Sequence, residues 1–290
     1  MKYISFIHRD KPSYGAVLGD RVRDLGAHFG DRAPDLKALI ANGLLAQAAQ
    51  AAASQPATLA LAELTLLPVI PNPGKIVCVG LNYGEHVQET GREVTESPTL
   101  FLRVPQSQVA HGQAIVLPPE SSRLDYEGEI AIVIGQPGRR ITEADAWDHV
   151  AGYACYNDGS IRDWQNATPQ WTAGKNFWRT GAFGPWMVPA GEIAPGQKMT
   201  LVTRLNGVEM QRATTDMMIH GIARQIAYIS TFTPLEAGDV IVTGTPGGVG
   251  ARRSPPVFMR AGDVVEVEVD AIGILRNPVA AEPNPRGEQR

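Results

Sequence analysis

Glycine and proline interrupt the chain at short intervals, and this spacing constrains the fold more than any other feature. The 290 residues include 30 glycines and 22 prolines, which separate short apolar runs. Short apolar runs bounded by turn-forming residues are typical of β-strands, whereas a helical bundle needs longer segments with helical periodicity. The sequence therefore favours a mixed α/β fold in which strands dominate.

The beginning of the chain is predicted to form a small α+β unit. Residues 3–25 alternate short apolar runs with turn signals at Gly15 and Gly19, which indicates a meander of strands. Asp35 is placed to cap a first helix, and the alanine-rich residues 44–53 predict a second one.

A proline-rich segment, residues 68–73, separates this unit from the rest of the chain because repeated proline removes backbone donors. We therefore predict an N-terminal domain of residues 1–70 and a larger domain of residues 71–290. Strand-like runs recur over residues 101–267, and one amphipathic helix is predicted over residues 217–231. The larger domain is predicted to be a β-barrel or β-roll with peripheral helices.

Charge and cysteine content exclude several classes of function. The net charge of -4 gives no basic surplus for binding phosphates, so nucleic acid is not an expected partner. The sequence has no apolar run of about eighteen residues and no signal-peptide pattern, so we expect no membrane association. The two cysteines, Cys78 and Cys155, fit a reducing compartment better than a disulfide framework, which predicts a cytoplasmic protein.

Two acidic side chains lie two positions apart at the start of a strongly apolar run. Glu127 and Glu129 precede Ile-Ala-Ile-Val-Ile, and side chains at positions i and i+2 of a strand point to the same face. Adjacent carboxylates repel each other, so the pair is expected to need a counterion such as a divalent cation. The same spacing also fits two glutamates on an exposed edge, and this stretch alone leaves both interpretations open.

A third carboxylate, Asp158, follows another apolar run at a predicted turn, where side chains often face a functional site. Asn157 and Asp158 also fit a structural Asx-turn. Three carboxylates without accompanying thiolates or imidazoles favour a hard cation (magnesium, manganese or calcium) over zinc. Such an ion can polarise a carbonyl group and stabilise an enolate.

His86 and Glu89 are three residues apart, which places them on one helical turn. A carboxylate that orients an imidazole makes a competent general base for activating water. The pair falls in a short polar segment after a predicted buried strand, where a lid is expected. A solvated histidine on a loop is the alternative interpretation.

Two further segments are candidates for contacts with an anionic substrate. Lys175 follows a glycine and precedes two aromatic residues, so it can pair with a substrate carboxylate or form an ordinary surface ion pair. The glycine-rich turn of residues 244–250 lacks the ending of a phosphate loop, which excludes nucleotide binding. Its backbone amides and the Thr245 hydroxyl are candidates for holding a carboxylate.

These motifs occur together, in order, and the pattern closely resembles the fumarylacetoacetate hydrolase family, in particular its branch of acylpyruvases and 2-hydroxyhepta-2,4-diene-1,7-dioate isomerases. The resemblance covers roughly residues 70–280. It rests on Gly80-Leu-Asn-Tyr83 with His86 and Glu89, Asp125-Tyr-Glu-Gly-Glu129, Asn157-Asp158 with Arg162-Asp-Trp-Gln165, Gly174-Lys-Asn-Phe177, and the segment from Gly238 to Gly250.

The resemblance implies a mixed β-sandwich roll for the larger domain and a homodimer. It also implies a magnesium or manganese ion, with calcium as a third candidate, held by Glu127, Glu129 and Asp158. His86 and Glu89 would form a catalytic dyad on a lid.

The resemblance further implies a set of substrate contacts. Lys175 and Gln165 are expected to contact the substrate oxygens, and Thr245 its terminal carboxylate. Tyr83 and Arg103 complete the predicted substrate-binding set. Arg103 stands where many members of the family have a lysine, and because arginine is a rigid, permanently charged fork, we expect a different or larger anionic group there.

Members of this family act on small keto acids by hydrolysis, decarboxylation, isomerisation or hydration. We expect hydrolysis of a carbon–carbon bond in a 2,4-dioxo acid such as fumarylpyruvate, through an enolate that the metal stabilises, because His86 and Glu89 supply a water-activating dyad. Decarboxylation or isomerisation of a 2-oxo or 2-hydroxydienoate dicarboxylic acid from aromatic catabolism is the alternative. A catalytically silent metal-binding member of the family is the second alternative.

Overall fold

Strands dominate the computed structural model, which describes residues 1–283; residues 284–290 of the predicted larger domain lie outside the described part. The strands are β1 (Lys2–His8), β2 (Lys11–Leu18), β3 (Arg21–Asp24), β4 (Leu59–Ala60), β5 (Thr65–Leu67), β6 (Ile76–Gly80), β7 (Thr99–Arg103), β8 (Gln108–Val109), β9 (Ile115–Leu117), β10 (Leu124–Asp125), β11 (Gly128–Ile134), β12 (Val150–Asn157), β13 (Ser160–Ile161), β14 (Gly181–Pro189), β15 (Thr200–Leu205), β16 (Val208–Thr214), β17 (Val240–Val242), β18 (Val264–Val269) and β19 (Gly273–Ala281). The α-helices are α1 (Gly26–Phe29), α2 (Leu36–Ala41), α3 (Leu45–Ser54), α4 (Gly84–Thr90), α5 (Arg162–Gln165), α6 (Thr172–Lys175) and α7 (Ile222–Phe232).

Two large sheets organise the protein. The first runs in the order β4-β3-β2-β1-β14-β12-β11-β17-β6-β7, with β5 and β8 paired to its members, and the second runs β16-β15-β18-β19-β9. A two-stranded ladder joins β10 to β13. The prediction of a sheet-dominated mixed α/β fold is therefore confirmed.

The N-terminal elements largely follow the predicted pattern. β1, β2 and β3 form the expected meander, and the Asp35 side chain accepts a hydrogen bond from the backbone N–H of Ala38 at 2.7 Å, as an N-cap residue does. The predicted turn at Gly15 is wrong, because Gly15 lies inside β2. A Cβ atom there would lie 2.4 Å from the carbonyl oxygen of Arg23, so the glycine permits close approach of β3.

The first 70 residues are joined to the rest of the chain by a shared sheet. β1 pairs antiparallel with β14, and Tyr3 lies opposite Met187. Tyr14 and Leu36 also belong to the same apolar cluster as Phe183. The predicted boundary near residue 70 thus separates two stretches of chain that share one sheet and one core.

The predicted helix over residues 217–231 begins later than expected, at Ile222. The backbone N–H groups of Ile219 and His220 donate to the carbonyl and side-chain oxygens of Asn82, both at 2.8 Å, so the preceding segment is committed to that contact. Ile222, Ile226 and Ile229 are buried, as the apolar stripe predicted. None of the helices in residues 1–283 has the length and apolar character that crossing a membrane requires.

β11 is the strand that positions the candidate site. All seven of its residues are buried, between β12 on one side and β17 on the other. Ile130 and Ile132 face one apolar cluster, whereas Ala131 and Val133 face another, so the strand has a core on both faces. This burial holds in place the backbone that carries the polar residues at its start.

Candidate active site

The structure brings together the three carboxylates at one end of β11 and β12. Glu127 precedes β11, Glu129 lies within it, and Asp158 follows β12. The Asp158 N–H donates to the Glu127 carbonyl at 2.8 Å, and the Glu127 N–H donates to the Asn157 side-chain oxygen at 3.0 Å. One oxygen from each carboxylate lies within 4.8 Å of the others, and all three residues are buried. The alternative of an exposed edge is therefore wrong.

Lys175 lies between two of these carboxylates. Its Nζ atom is 2.6 Å from Glu127 Oε2 and 2.6 Å from Asp158 Oδ2. Burial alone would lower the pKa of Lys175, but the charges of Asp158 and Glu127 outweigh it and raise the pKa. Lys175 is thus a buried cation of the site and does not form the surface ion pair that was the alternative.

Arg162 is a further member of the site, to which the sequence motif Arg162-Asp-Trp-Gln165 assigned no role. Its Nε donates to Asp125 Oδ2 at 2.8 Å, and its Nη1 lies 2.7 Å from Glu127 Oε1 and 2.8 Å from Gln165 Oε1. Its Nη2 is buried and has no hydrogen-bond partner among residues 1–283. The signal available in the sequence was a cation four residues after a predicted metal ligand.

Glu129 differs from Glu127 in its electrostatic surroundings. Burial opposes ionisation of Glu127, but Lys175 and Arg162 lower its pKa. Burial raises the pKa of Glu129, as do the charges of Asp158 and Glu127, and these effects outweigh Lys175 and the Gly244 N–H, which donates to its Oε2. Within residues 1–283 no lysine or arginine forms a salt bridge with Glu129.

This donor set fits a hard divalent cation. Three oxygen donors converge, and among residues 1–283 Glu129 has no salt bridge to a lysine or arginine. A divalent ion supplies the missing positive charge, and magnesium and manganese prefer oxygen ligands of this kind. Glu127, Glu129 and Asp158 are therefore the residues that would hold it.

His86 and Glu89 lie on α4, with Nδ1 of the imidazole 2.7 Å from Glu89 Oε1. The other carboxylate oxygen of Glu89 accepts a hydrogen bond from the Gly248 N–H at 2.9 Å. The predicted polar lid loop is in fact a helix, and only 6% of the His86 surface is exposed. The alternative of a solvated loop histidine is therefore wrong. The next residue of the helix, Val87, is also buried.

The glycine-rich turn holds carboxylates of the protein itself, which corrects the expectation that its amides bind the substrate. Its amide groups pair as follows: Gly244 with Glu129, Gly248 with Glu89, and Gly250 with Asp125. Gly244 and Gly248 have φ values of 102° and 99°, a region that favours glycine and turns their N–H groups inward. The turn therefore positions a predicted metal ligand and the dyad at once.

Thr245 faces the cavity, but its hydroxyl is engaged within the protein. It donates to the Gly128 carbonyl at 3.0 Å and accepts from Gln211 Nε2 at 2.8 Å. Gln211, which the sequence analysis did not identify, also accepts the Gly128 N–H at 3.0 Å. These bonds fix the start of β11.

Arg103 and Tyr83 lie outside the cavity, so the expected substrate contacts are corrected. Arg103 is buried and donates to the Asp158 carboxylate, with further bonds to the Gly159 carbonyl at 2.9 Å and the Thr180 hydroxyl at 3.2 Å. The planar guanidinium group of Arg103 matches this set of acceptors. Arg103 therefore orients Asp158, a predicted metal ligand. Tyr83 is only 2% exposed and immediately precedes α4.

The remaining predicted site residues except Glu89 line one cavity of about 320 Å³, and Glu89 contacts this lining through His86. It is lined by Val79, Gly80, Leu81, His86, Thr90, Arg92, Phe101, Arg123, Glu127, Glu129, Asp158, Arg162, Gln165, Asn166, Trp171, Lys175, Thr245, Val249, Ala251, Arg252, Pro256 and Phe258. The candidate cation site, a histidine that a carboxylate orients and several cationic side chains thus meet in one space. Such an arrangement can bind a small anion and move a proton on it.

Sequence comparisons connect this site with known proteins. The family model for the C-terminal domain of fumarylacetoacetate (FAA) hydrolase matches residues 75–280. The mitochondrial oxaloacetate tautomerase of Xenopus laevis is 38% identical over 287 residues, covering 96% of this chain and 90% of that protein. A human mitochondrial oxaloacetate tautomerase is 39% identical over 237 residues, covering 81% of this chain and 76% of that protein.

Solved structures have the same fold. Fumarylacetoacetate hydrolase from Exiguobacterium antarcticum has a TM-score of 0.83 and 31% identity, covering 97% of this chain and 100% of that one. Maleylpyruvate hydrolase from Sphingobium sp. SYK-6, in complex with manganese(II) and pyruvate, has a TM-score of 0.81 and 28% identity, covering 98% and 100%. On the family match and these likenesses together, the chain belongs to the fumarylacetoacetate hydrolase family.

Proposed function

We propose that this protein is a divalent-metal-dependent oxaloacetate tautomerase, which interconverts the enol and keto forms of its substrate. The observation that carries the proposal is that His86, which Glu89 orients, lines one cavity together with the three carboxylates. The similarity to the Xenopus and human oxaloacetate tautomerases supports this choice of reaction. Tautomerisation needs a proton carrier beside an acidified keto acid, and the proposal assigns the first role to His86 and the second to an ion held by the three carboxylates.

The metal contributes one part of this chemistry. When bound by Glu127, Glu129 and Asp158, magnesium or manganese would draw electron density from the keto-acid oxygens and acidify the neighbouring carbon. Lys175 and Gln165 line the same cavity and are proposed to contact the substrate oxygens.

His86 is proposed to carry the proton. Because Glu89 holds Nδ1, the Nε2 atom is left for exchange with the substrate, and the carboxylate stabilises positive charge on the ring. In the enol-to-keto direction, Nε2 gives a proton to carbon 3 and the enol oxygen loses its proton to water. The carbon–carbon π bond becomes the new C–H bond, an oxygen lone pair forms the carbonyl, and the substrate gains and loses one proton.

The decay of enol-oxaloacetate, followed by its ultraviolet absorbance, tests this proposal. The protein is stripped with EDTA and then supplied with magnesium or manganese. We expect the metal-loaded protein to accelerate the decay and the His86→Ala variant to lose most of that acceleration. Decay at the rate of the protein-free solution would refute the proposal.

A second candidate is hydrolysis of an acylpyruvate such as fumarylpyruvate, supported by the likeness to maleylpyruvate hydrolase. Here the same dyad would take a proton from water, and the resulting hydroxide would add to the distal carbonyl. The carbon–carbon bond would then break with its electron pair leaving on the enolate of pyruvate, which takes up the proton from His86, while the acyl part leaves as a carboxylic acid. Release of pyruvate distinguishes the two reactions, because tautomerisation leaves the carbon skeleton intact. Metal binding without turnover of either substrate would instead indicate a catalytically silent member of the family.

A further inference from the structure

A second cavity, of about 280 Å³, lies apart from the active site and shares none of its lining residues. Trp147 contributes a partly buried indole ring to its wall. Its floor is made of four buried side chains: Tyr153, Ile193, Met199 and Ile222. The volume is close to the lower end of the range for small-molecule sites, about 300 to 1,000 Å³, so a small ligand matches this cavity.

The charged side chains at the rim of the second cavity are paired. Arg224 lies 3.8 Å from Glu143, and both residues line the cavity. Asp216, a third lining residue, pairs with Lys198 at 2.9 Å. These pairs balance the charges at the rim, and a charged ligand would therefore enter a largely apolar space without a counterion, which is costly. The rim favours an uncharged ligand.

The hydroxyl of Tyr153 is the polar group that such a ligand meets. Tyr153 is only 2% exposed, and its ring belongs to the main apolar cluster. Within residues 1–283 its hydroxyl forms no hydrogen bond, and unlike the hydroxyls of Tyr83 and Tyr156 it is not completely buried. Burial raises the pKa of Tyr153 to about 12, so the hydroxyl keeps its proton at neutral pH and can donate it to a hydrogen bond. A ligand with an acceptor atom gains a hydrogen bond there.

The side chains around the Tyr153 hydroxyl favour an aromatic ring. The indole of Trp147 and the phenol ring of Tyr153 offer aromatic contacts, and the Met199 thioether is a further favourable neighbour of a ring. We propose that the second cavity binds an uncharged monocyclic aromatic molecule that bears a hydroxyl group. The oxygen of that group accepts a hydrogen bond from Tyr153, and the ring lies against Trp147 and Met199.

One wall of the second cavity is joined to the helix that carries the dyad. Residues at both ends of the segment 215–224 line the cavity. Between them, the N–H groups of Ile219 and His220 donate to the carbonyl and side-chain oxygens of Asn82, both at 2.8 Å. Asn82 lies two residues before α4. Local opening of this wall would release a ligand from the cavity, so a bound ligand stabilises the wall and its contact with Asn82.

Fluorine NMR titration of the full-length protein tests the proposal, with 4-fluorophenol as the probe and fluorobenzene as the analogue without a hydroxyl group. We expect the wild type to bind 4-fluorophenol about fivefold more tightly than fluorobenzene. Tyr153→Phe removes only the hydroxyl, so it should weaken 4-fluorophenol binding about fivefold and change fluorobenzene binding by less than about 1.5-fold. Tyr228→Phe, on α7 but outside the lining of this cavity, is the matched control and should change neither affinity.

Two further measurements locate the bound probe. Ala223→Leu fills the cavity from the first turn of α7 and should abolish 4-fluorophenol binding. Amide hydrogen exchange at Ile219 and His220 should slow about fivefold at a probe concentration about four times its Kd, because opening of the wall competes with binding. Thermal melting of each variant checks that folding is intact, and Tyr153→Phe alone decides the matter if Ala223→Leu fails to fold.

The proposal is overturned if the wild type does not bind 4-fluorophenol, or if it binds 4-fluorophenol and fluorobenzene equally. Unchanged binding of 4-fluorophenol in Tyr153→Phe would also overturn it, as would slowed exchange confined to amides of the active site. Benzoate tests the charge requirement: an about tenfold excess should leave the bound probe in place, because a carboxylate would be buried without a counterion. Displacement of the probe by benzoate would contradict the assignment of an uncharged ligand.

Discussion

His86 and Glu89 lie one helical turn apart on α4, joined by a 2.7 Å contact between the imidazole Nδ1 and the carboxylate Oε1. The amide of Gly248 fixes the carboxylate from the other side. The ring is therefore oriented before any substrate arrives, and this geometry gives the first prediction.

Replacing His86 by alanine is expected to lower kcat for enol-oxaloacetate by about 100-fold or more, because the proton carrier is lost. Glu89→Gln should lower kcat by about tenfold or more, because the amide no longer stabilises a charged ring. Steady-state kinetics with saturating manganese measure both effects. His28→Gln, at an exposed histidine on α1, should leave kcat unchanged. An unchanged kcat in His86→Ala would contradict the assigned role.

The raised pKa of Glu129 predicts a pH dependence of stability in the metal-free protein. A carboxyl group whose pKa is higher in the folded than in the unfolded state retains a proton that the unfolded chain has lost. Stability should therefore fall as the pH rises from the ordinary carboxyl pKa toward the folded value. Glu127, whose pKa is lowered, has the opposite sign and loses its contribution only as the pH falls toward its folded value.

Thermal melting in EDTA at a series of pH values measures this effect. Glu129→Gln should abolish most of the decline and melt about 2 °C or more above the wild type at the upper end of the series. Manganese should raise the melting temperature of the wild type, most at high pH, and should have little effect on Glu129→Gln. Glu63→Gln, on the surface, should behave as the wild type in both buffers. A decline that persists unchanged in Glu129→Gln would rule this explanation out.

The burial of Lys175 predicts that its ion pairs contribute more to the free energy of unfolding than exposed ion pairs do. Lys175→Met removes the cation between Glu127 and Asp158 and should lower the free energy of unfolding of the metal-free protein by about 3 to 5 kcal/mol. Manganese should restore part of that loss, because it supplies positive charge to the same oxygens. Chemical denaturation with and without metal measures both values.

The control for that experiment is Lys198→Met. Lys198 pairs with Asp216 at 2.9 Å, but both side chains are more than half exposed, so its loss should cost no more than about 1 kcal/mol. Equal effects of the two substitutions would show that Lys175 is not a buried charge.

The backbone conformation of Gly244 predicts that no larger residue is tolerated there without a cost to stability. Its φ is 102°, and a Cβ atom there would lie 2.6 Å from the Asn82 Cβ atom. Gly244→Ala should therefore lower the free energy of unfolding by about 1 to 3 kcal/mol and weaken manganese binding, because the amide that holds Glu129 is displaced. Gly191→Ala, where the added carbon meets open space, should leave manganese affinity unchanged. Titration calorimetry with manganese compares the two.

The fold class and the side-by-side placement of Glu127 and Glu129 could be predicted from local rules, whereas the convergence of Asp158 on them was implied by the family resemblance. Alternation of side chains along a strand places Glu127 and Glu129 on one face, and Asp158 follows a strand that pairs with theirs. The N-cap at Asp35 and the buried apolar stripe of α7 could also be predicted from the local sequence. Apart from the placement of Asp158, which depends on the pairing of β11 with β12, each of these features depends on residues close together in sequence.

The contacts that were missed join residues distant in sequence. The amides of the glycine-rich turn were expected to bind substrate, but they bind Glu129, Glu89 and Asp125, more than 100 residues away. Arg103 likewise looked available for a ligand, yet its acceptors lie on Asp158 and Thr180. The spacing of residues along the chain does not indicate which distant residues will be their hydrogen-bond partners. The homodimer and the cytoplasmic location stay predictions.

The pairing of β1 with β14 has a consequence for engineering this protein. In a chain that began at residue 71, β14 would lose its partner β1 and become an exposed edge strand at Met187. Phe183 would also lose the N-terminal residues that cover it. Exposed edge strands can pair with strands of other molecules, which leads to aggregation. The part of the chain that carries the chemistry is therefore not a portable module, and fusions or truncations should retain the first 70 residues.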